Sequence, residues 1–100
     1  MDKTRFEMEK SKDWKKFLEL ILSAKDAGTL DTYFQLFTTH NEREMLVDRY
    51  RLVRAILTTD LSQREIADTL HLSISKVTAG SKALQSLERD HKNNLTKNLH

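Results

Sequence analysis

Proline is absent from this chain, and glycine occurs only twice in its 100 residues, at Gly28 and Gly80. Proline interrupts a helix by removing a donor and clashing with the preceding turn, while tight β-hairpins lean on glycine for positive φ. A chain with none of the first and almost none of the second is expected to be all-α. One hundred residues suffice for a single domain, residues 1–100, with a modest core. Hydrophobic residues make up 38% and charged residues 32%, so each helix must be sharply two-faced. No apolar run approaches the roughly 20 residues that a membrane helix needs. The opening M-D-K-T-R-F-E-M-E-K carries no apolar signal core, and the lack of cysteine removes disulfides and thiolate metal sites. The expectation is a cytoplasmic chain with no metal and no membrane partner.

The strongest local signal lies between Leu61 and Gln85, L-S-Q-R-E-I-A-D-T-L-H-L-S-I-S-K-V-T-A-G-S-K-A-L-Q. Ser62 can cap a first short helix, and Glu65 three residues on completes a capping box. Ile66 and Leu70 then share a face. Ser73 can cap a second helix, whose apolar positions are Ile74, Val77 and Leu84, with Gly80 between them. Ala67 is small where the two helices would cross. The spacing predicts a helix-turn-helix over 61–86. The second helix turns Ser75, Lys76, Thr78, Ala79, Lys82 and Gln85 outward, mostly short polar or cationic side chains suited to a DNA major groove. A helical hairpin with a merely solvated polar face is the bland alternative.

The rest of the chain reads as amphipathic helices. Residues 1–6 read as frayed. A helix is expected from about Glu7 to Asp26, with Trp14, Phe17, Leu18 and Ile21 on one side and Gly28 as its left-handed end. Thr29 is the expected cap of a short helix bearing Leu30, Tyr33, Phe34 and Phe37. Thr39 with Glu42 would open a third, from about His40 to Thr58, with Leu46, Tyr50, Val53 and Leu57 on one face and Met45, Leu52 and Ile56 widening it. Residues 88–100 read as a C-terminal helix or a frayed tail, giving five to six helices in all. The stripes over residues 7–58 offer more apolar surface than a small monomer covers, which points to an intertwined homodimer.

Charge is uneven. Residues 1–48 carry eight Lys/Arg against ten Asp/Glu, and residues 49–89 carry seven against four. The positive excess falls on and just before the helix-turn-helix, where phosphate contacts would be made. Enzyme signatures are missing. The four histidines (His40, His71, His91, His100) are scattered, and two separated glycines cannot form a phosphate loop, so catalysis is not expected.

The segments L-F-T-T-H-N-E-R-E-M-L-V-D-R-Y-R-L-V-R-A-I-L, L-S-Q-R-E-I-A-D-T-L and I-S-K-V-T-A-G-S-K-A-L resemble the tryptophan repressor family, over about residues 14 to 85. The resemblance implies an intertwined dimer that binds double-stranded operator DNA and represses transcription with L-tryptophan as corepressor. It implies a ligand held between the third helix and the second helix of the motif, the indole sandwiched by two arginines. Arg49 matches one of them. The backbone carbonyls of Leu36 and Thr38, with Thr39, would hold the ammonium, and Gly80 would keep the floor open to the ring. Gln63, Arg64, Ser73, Ile74, Ser75 and Thr78 match DNA-reading positions, and Lys82 stands where the family usually has a phosphate-binding asparagine. Ala67 and Gln85 each stand in place of a lysine.

Three ligand-side positions depart from the pattern. Ala79 replaces the second arginine, Lys76 a threonine and Ala83 a serine. Losing the arginine removes a charge-assisted contact worth roughly 1.5–3 kcal/mol, on the order of 10- to 100-fold in affinity. Lys76 could lend a cation to the ligand carboxylate, although it cannot stack as a guanidinium does. Beside a tryptophan-gated repressor, two alternatives stay open: a repressor with a different ligand or none, and a helical dimer that binds proteins.

Overall fold

The computed structural model describes residues 3–99. Among these the chain forms six helices and no strand: α1 (Lys3–Leu22), α2 (Ala27–Phe37), α3 (His40–Thr58), α4 (Gln63–Leu70), α5 (Ile74–Gln85) and α6 (Arg89–Asn98). The all-α expectation holds. The helices fall into two compact units, one ending at His40 and the other beginning at Asn41. Residues 1, 2 and 100, at the two ends read as frayed, lie outside the described residues.

In the first unit, α1 starts at Lys3 and not near Glu7. Side chains four apart support the added turn: Arg5 pairs with Glu9 at 3.6 Å, and the Lys10 ammonium lies 4.6 Å from the Phe6 ring centre. The helix ends at Leu22, short of Asp26. Gly28 is not its left-handed end, since no glycine of the described chain has positive φ. Asp26 takes the capping role expected of Thr29: its carboxylate accepts from the Thr29 N–H at 2.7 Å and opens α2. Aspartate is the stronger acceptor at this position, and the bond holds its carboxyl below the ordinary value. Phe17 stacks on Trp14 and meets Phe37 edge-on at 5.1 Å. Even so, no residue of α1 or α2 is buried, and Trp14 remains 59% exposed.

The second unit has a core. Leu52 from α3, Ile66 and Ala67 from α4 and Val77 from α5 form a buried cluster, flanked by Ala55, Ile56, Leu70 and Leu72. The face of α3 that enters this core is the one around Leu52. The Leu46–Tyr50 end of the expected stripe lies outside it, both residues being exposed. Helix α3 is therefore apolar on two sides, one packed and one open. Helix α6 begins after Glu88, and it carries Asp90 in its first turn and Lys97 in its last, in keeping with the helix dipole.

Candidate nucleic-acid interface and ligand cleft

The hairpin of α4 and α5 is built from caps. The Ser62 hydroxyl accepts from the Glu65 N–H at 3.2 Å, and the Glu65 carboxylate accepts from the Ser62 N–H at 3.2 Å. These bonds hold the Glu65 carboxyl below its ordinary value, the Ser62 backbone N–H being the larger cause. His71 closes α4 in the left-handed conformation, φ 55° and ψ 44°, and its N–H and that of Leu72 both bond the Ala67 carbonyl. Histidine is among the residues that tolerate this region, so the turn forms without glycine. Ser73 then caps α5, accepting from the Lys76 N–H at 3.2 Å.

This geometry leaves a polar face open. Arg64, Ser73, Ser75 and Lys82 are exposed, and so is Ile74, at 52%, although it had also been assigned to the apolar side of its helix. Gln63 and Thr78 are tied together across the hairpin. The Thr78 hydroxyl donates to the Gln63 amide oxygen at 3.2 Å, and the Gln63 amide nitrogen donates to the Ser81 hydroxyl at 3.3 Å. An amide keeps a second N–H and a second lone pair after such bonds. Gln63 can thus brace the start of α4 on α5 and still present a donor outward. Ser81 was missed in the sequence, where nothing marks a partner 18 residues away.

Between α3 and α5, both in the second unit, lies a cleft of about 90 Å³ lined by Met45, Asp48, Arg49, Leu52, Leu72 and Lys76. Two of the expected ligand-side residues, Arg49 and Lys76, thus meet at one site. Gly80 is beside it for a steric reason: a Cβ built there would come within 2.5 Å of Leu52 Cδ2 and 3.8 Å of Arg49 Cδ. Its missing side chain is what lets α5 approach the Leu52 side chain and the Arg49 stem. Ala79 is exposed and does not line the cleft. Asp48 was missed. Its carboxylate lies 4.0 Å from the Lys76 ammonium, the two side chains being 37% and 57% exposed. A pair this open to water contributes about 0–1 kcal/mol.

Leu36, Thr38 and Thr39 sit at the C-terminal end of α2, in the first unit. Leu36 is 76% exposed, and the Thr38 N–H and hydroxyl both donate to the Phe34 carbonyl. As at any helix C-terminus, the last-turn carbonyls project from the end and can meet a cation. Among the described residues, no group of three or more His, Asp or Glu is placed to hold a metal ion, and no helix is long and apolar enough to cross a membrane.

Comparison with known proteins gives one consistent match. The profile of the family described as Trp repressor protein matches residues 12–99. A Trp operon repressor homolog of Chlamydia caviae is 40% identical over 75 residues, covering 75% of this chain and 74% of the relative. One from Chlamydia trachomatis serovar D is 37% identical over 86 residues, covering 86% and 92%. One from Vibrio parahaemolyticus serotype O3:K6 is 33% identical over 84 residues, covering 84% and 82%.

Proposed function

The chain belongs to the Trp repressor family, and from that premise we propose that it is a sequence-specific transcriptional repressor, an intertwined homodimer gated by L-tryptophan. It acts in the cytoplasm on double-stranded operator DNA. The observation that carries this reading is the position of α5. One helix leaves Ser73, Ile74, Ser75 and Lys82 exposed, with Thr78 half-buried and bonded to Gln63. The same helix lines a cleft against α3 through Lys76. Whatever fills that cleft acts on the element that would lie in the major groove.

Each side chain has a role in this reading. Ser75, Thr78 and Gln63 face base edges, directly or through water, while Arg64 and Lys82 meet phosphate. Arg49 stacks on the ligand ring, Lys76 pairs with its carboxylate, and Gly80, with no side chain, keeps the floor open to the ring. The carbonyls of Leu36 and Thr38, with Thr39, take the ammonium. The open faces of α1, α2 and the outer side of α3 pair with those of a second copy. Helix-turn-helix dimers, the Trp repressor among the known cases, read half-sites about 34 Å apart, one helical turn.

Selection from random duplexes, with and without L-tryptophan, tests the reading. It expects a palindromic site enriched only with the ligand, and affinity that falls with salt. Failure to enrich any site would refute it and favour a protein-binding dimer. A second reading, a repressor that needs no ligand, draws on Ala79, where the second stacking arginine is missing. Under that reading the same palindrome is enriched equally in both arms.

A further inference from the structure

Lys76 and Asp48, 4.0 Å apart, both line the cleft proposed to hold the corepressor. At about 90 Å³, the cleft is smaller than the ~150 Å³ that admits a benzene ring. An aromatic side chain is therefore fully enclosed there only when lining side chains swing aside. Leu52 cannot, being 1% exposed in the core. Met45, Arg49 and Lys76 are exposed and can. Lys76 leaves at little cost, because its pair with Asp48 is long and wet.

Opening that pair leaves an ammonium and a carboxylate on opposite walls of one small site. A ligand with a carboxylate alone would satisfy Lys76 and repel Asp48, and an amine alone would do the reverse. An α-amino acid carries both charges on one carbon, so it re-pairs both walls at once. We infer that the Lys76–Asp48 pair is a zwitterion filter: it selects an aromatic α-amino acid over aromatic acids and amines, Lys76 holding the carboxylate and Asp48 the ammonium. An ammonium has three donors, so a bond to Asp48 leaves it two for other acceptors. The inference rests on the reading of the α3–α5 cleft as the corepressor site, and it adds Asp48 as a specificity residue.

Calorimetry on the full-length protein without DNA, using L-tryptophan, indole-3-propionate and tryptamine, tests it. The wild type should prefer L-tryptophan to either analogue by about tenfold or more. In Asp48→Asn the affinity for L-tryptophan should fall about tenfold while indole-3-propionate binds as well or better, erasing the preference. In Lys76→Gln tryptamine should gain on L-tryptophan, and Lys76→Arg should restore the wild-type order. Lys76 is exposed and Asp48 partly so, and unchanged helical circular dichroism would show that the variants fold. If L-tryptophan binds all variants with its preference intact, the filter is refuted and the corepressor reading stands. If the wild type binds no L-tryptophan, that reading and the filter fail together.

Discussion

Gly80 has no side chain at the point where α5 comes nearest to the Leu52 side chain. Leu52 Cδ2 would lie 2.5 Å from an added Cβ, and although it is the far end of a side chain, it is locked in the core. Gly80→Ala should therefore destabilise the protein by about 1–3 kcal/mol through overpacking. Urea unfolding reads this, and Leu52→Ala should cost less in the Gly80→Ala background than alone, the mark of direct contact. His71 is the other singular residue, the only non-glycine of the described chain with positive φ. Replacing it with glycine should be neutral or stabilising by up to about 1 kcal/mol, whereas valine should destabilise by about 1–2 kcal/mol. Thermal melts of the two variants check the sign. Gly80 stood out in the sequence only in part, and His71 only as one of four scattered histidines. Gly80 was recognisable as a position that excludes a side chain, but its neighbour Leu52 lies 28 residues back on another helix. No local pattern names such a partner. Asp48 was overlooked for the same reason, since its meaning comes from Lys76 across the cleft.

Helices α4 and α5 were the most legible elements, because their ends are written in side chains that act over three residues. The box of Ser62 and Glu65 and the cap at Ser73 formed as the sequence suggested. Ser62→Ala should cost about 1 kcal/mol. Glu65 gives this box a pH dependence. Its folded pKa is lowered, so the stability it contributes is present above the ordinary glutamate value and is lost as pH falls through the depressed folded value. Glu65→Gln keeps an acceptor for the Ser62 N–H but cannot titrate. Its urea midpoint should change less than that of the wild type between about pH 6 and pH 3. An equal slope in both proteins would remove Glu65 as the cause. The start of α2 was less legible, because Asp26 and Thr29 are both competent caps three residues apart. The choice between them depends on where α1 stops. Helix α3 was placed correctly, yet its apolar residues span two faces. Periodicity alone could not say that the Leu52 side would meet α4 and α5.

The same ambiguity separates the two units. The second has a core built on a cluster of four buried residues, whereas α1 and α2 of the first have aromatic contacts and no buried residue. Phe6, Trp14, Leu18, Phe37, Leu46 and Tyr50 are large apolar side chains left substantially open, more than an isolated chain leaves in water without association. If a second copy covers them, sedimentation equilibrium will return twice the 11.7 kDa of the chain, and the thermal midpoint will rise with protein concentration. A mass of one chain at micromolar concentration would contradict the dimer. We propose that one helix, α5, connects a ligand cleft to a DNA-reading face. That link is tested most directly by titrating the protein against its selected palindromic duplex with and without saturating L-tryptophan. The ligand should tighten binding to the palindrome by about tenfold or more, while affinity for a scrambled duplex moves little. Equal affinity for the palindrome in both titrations would contradict it.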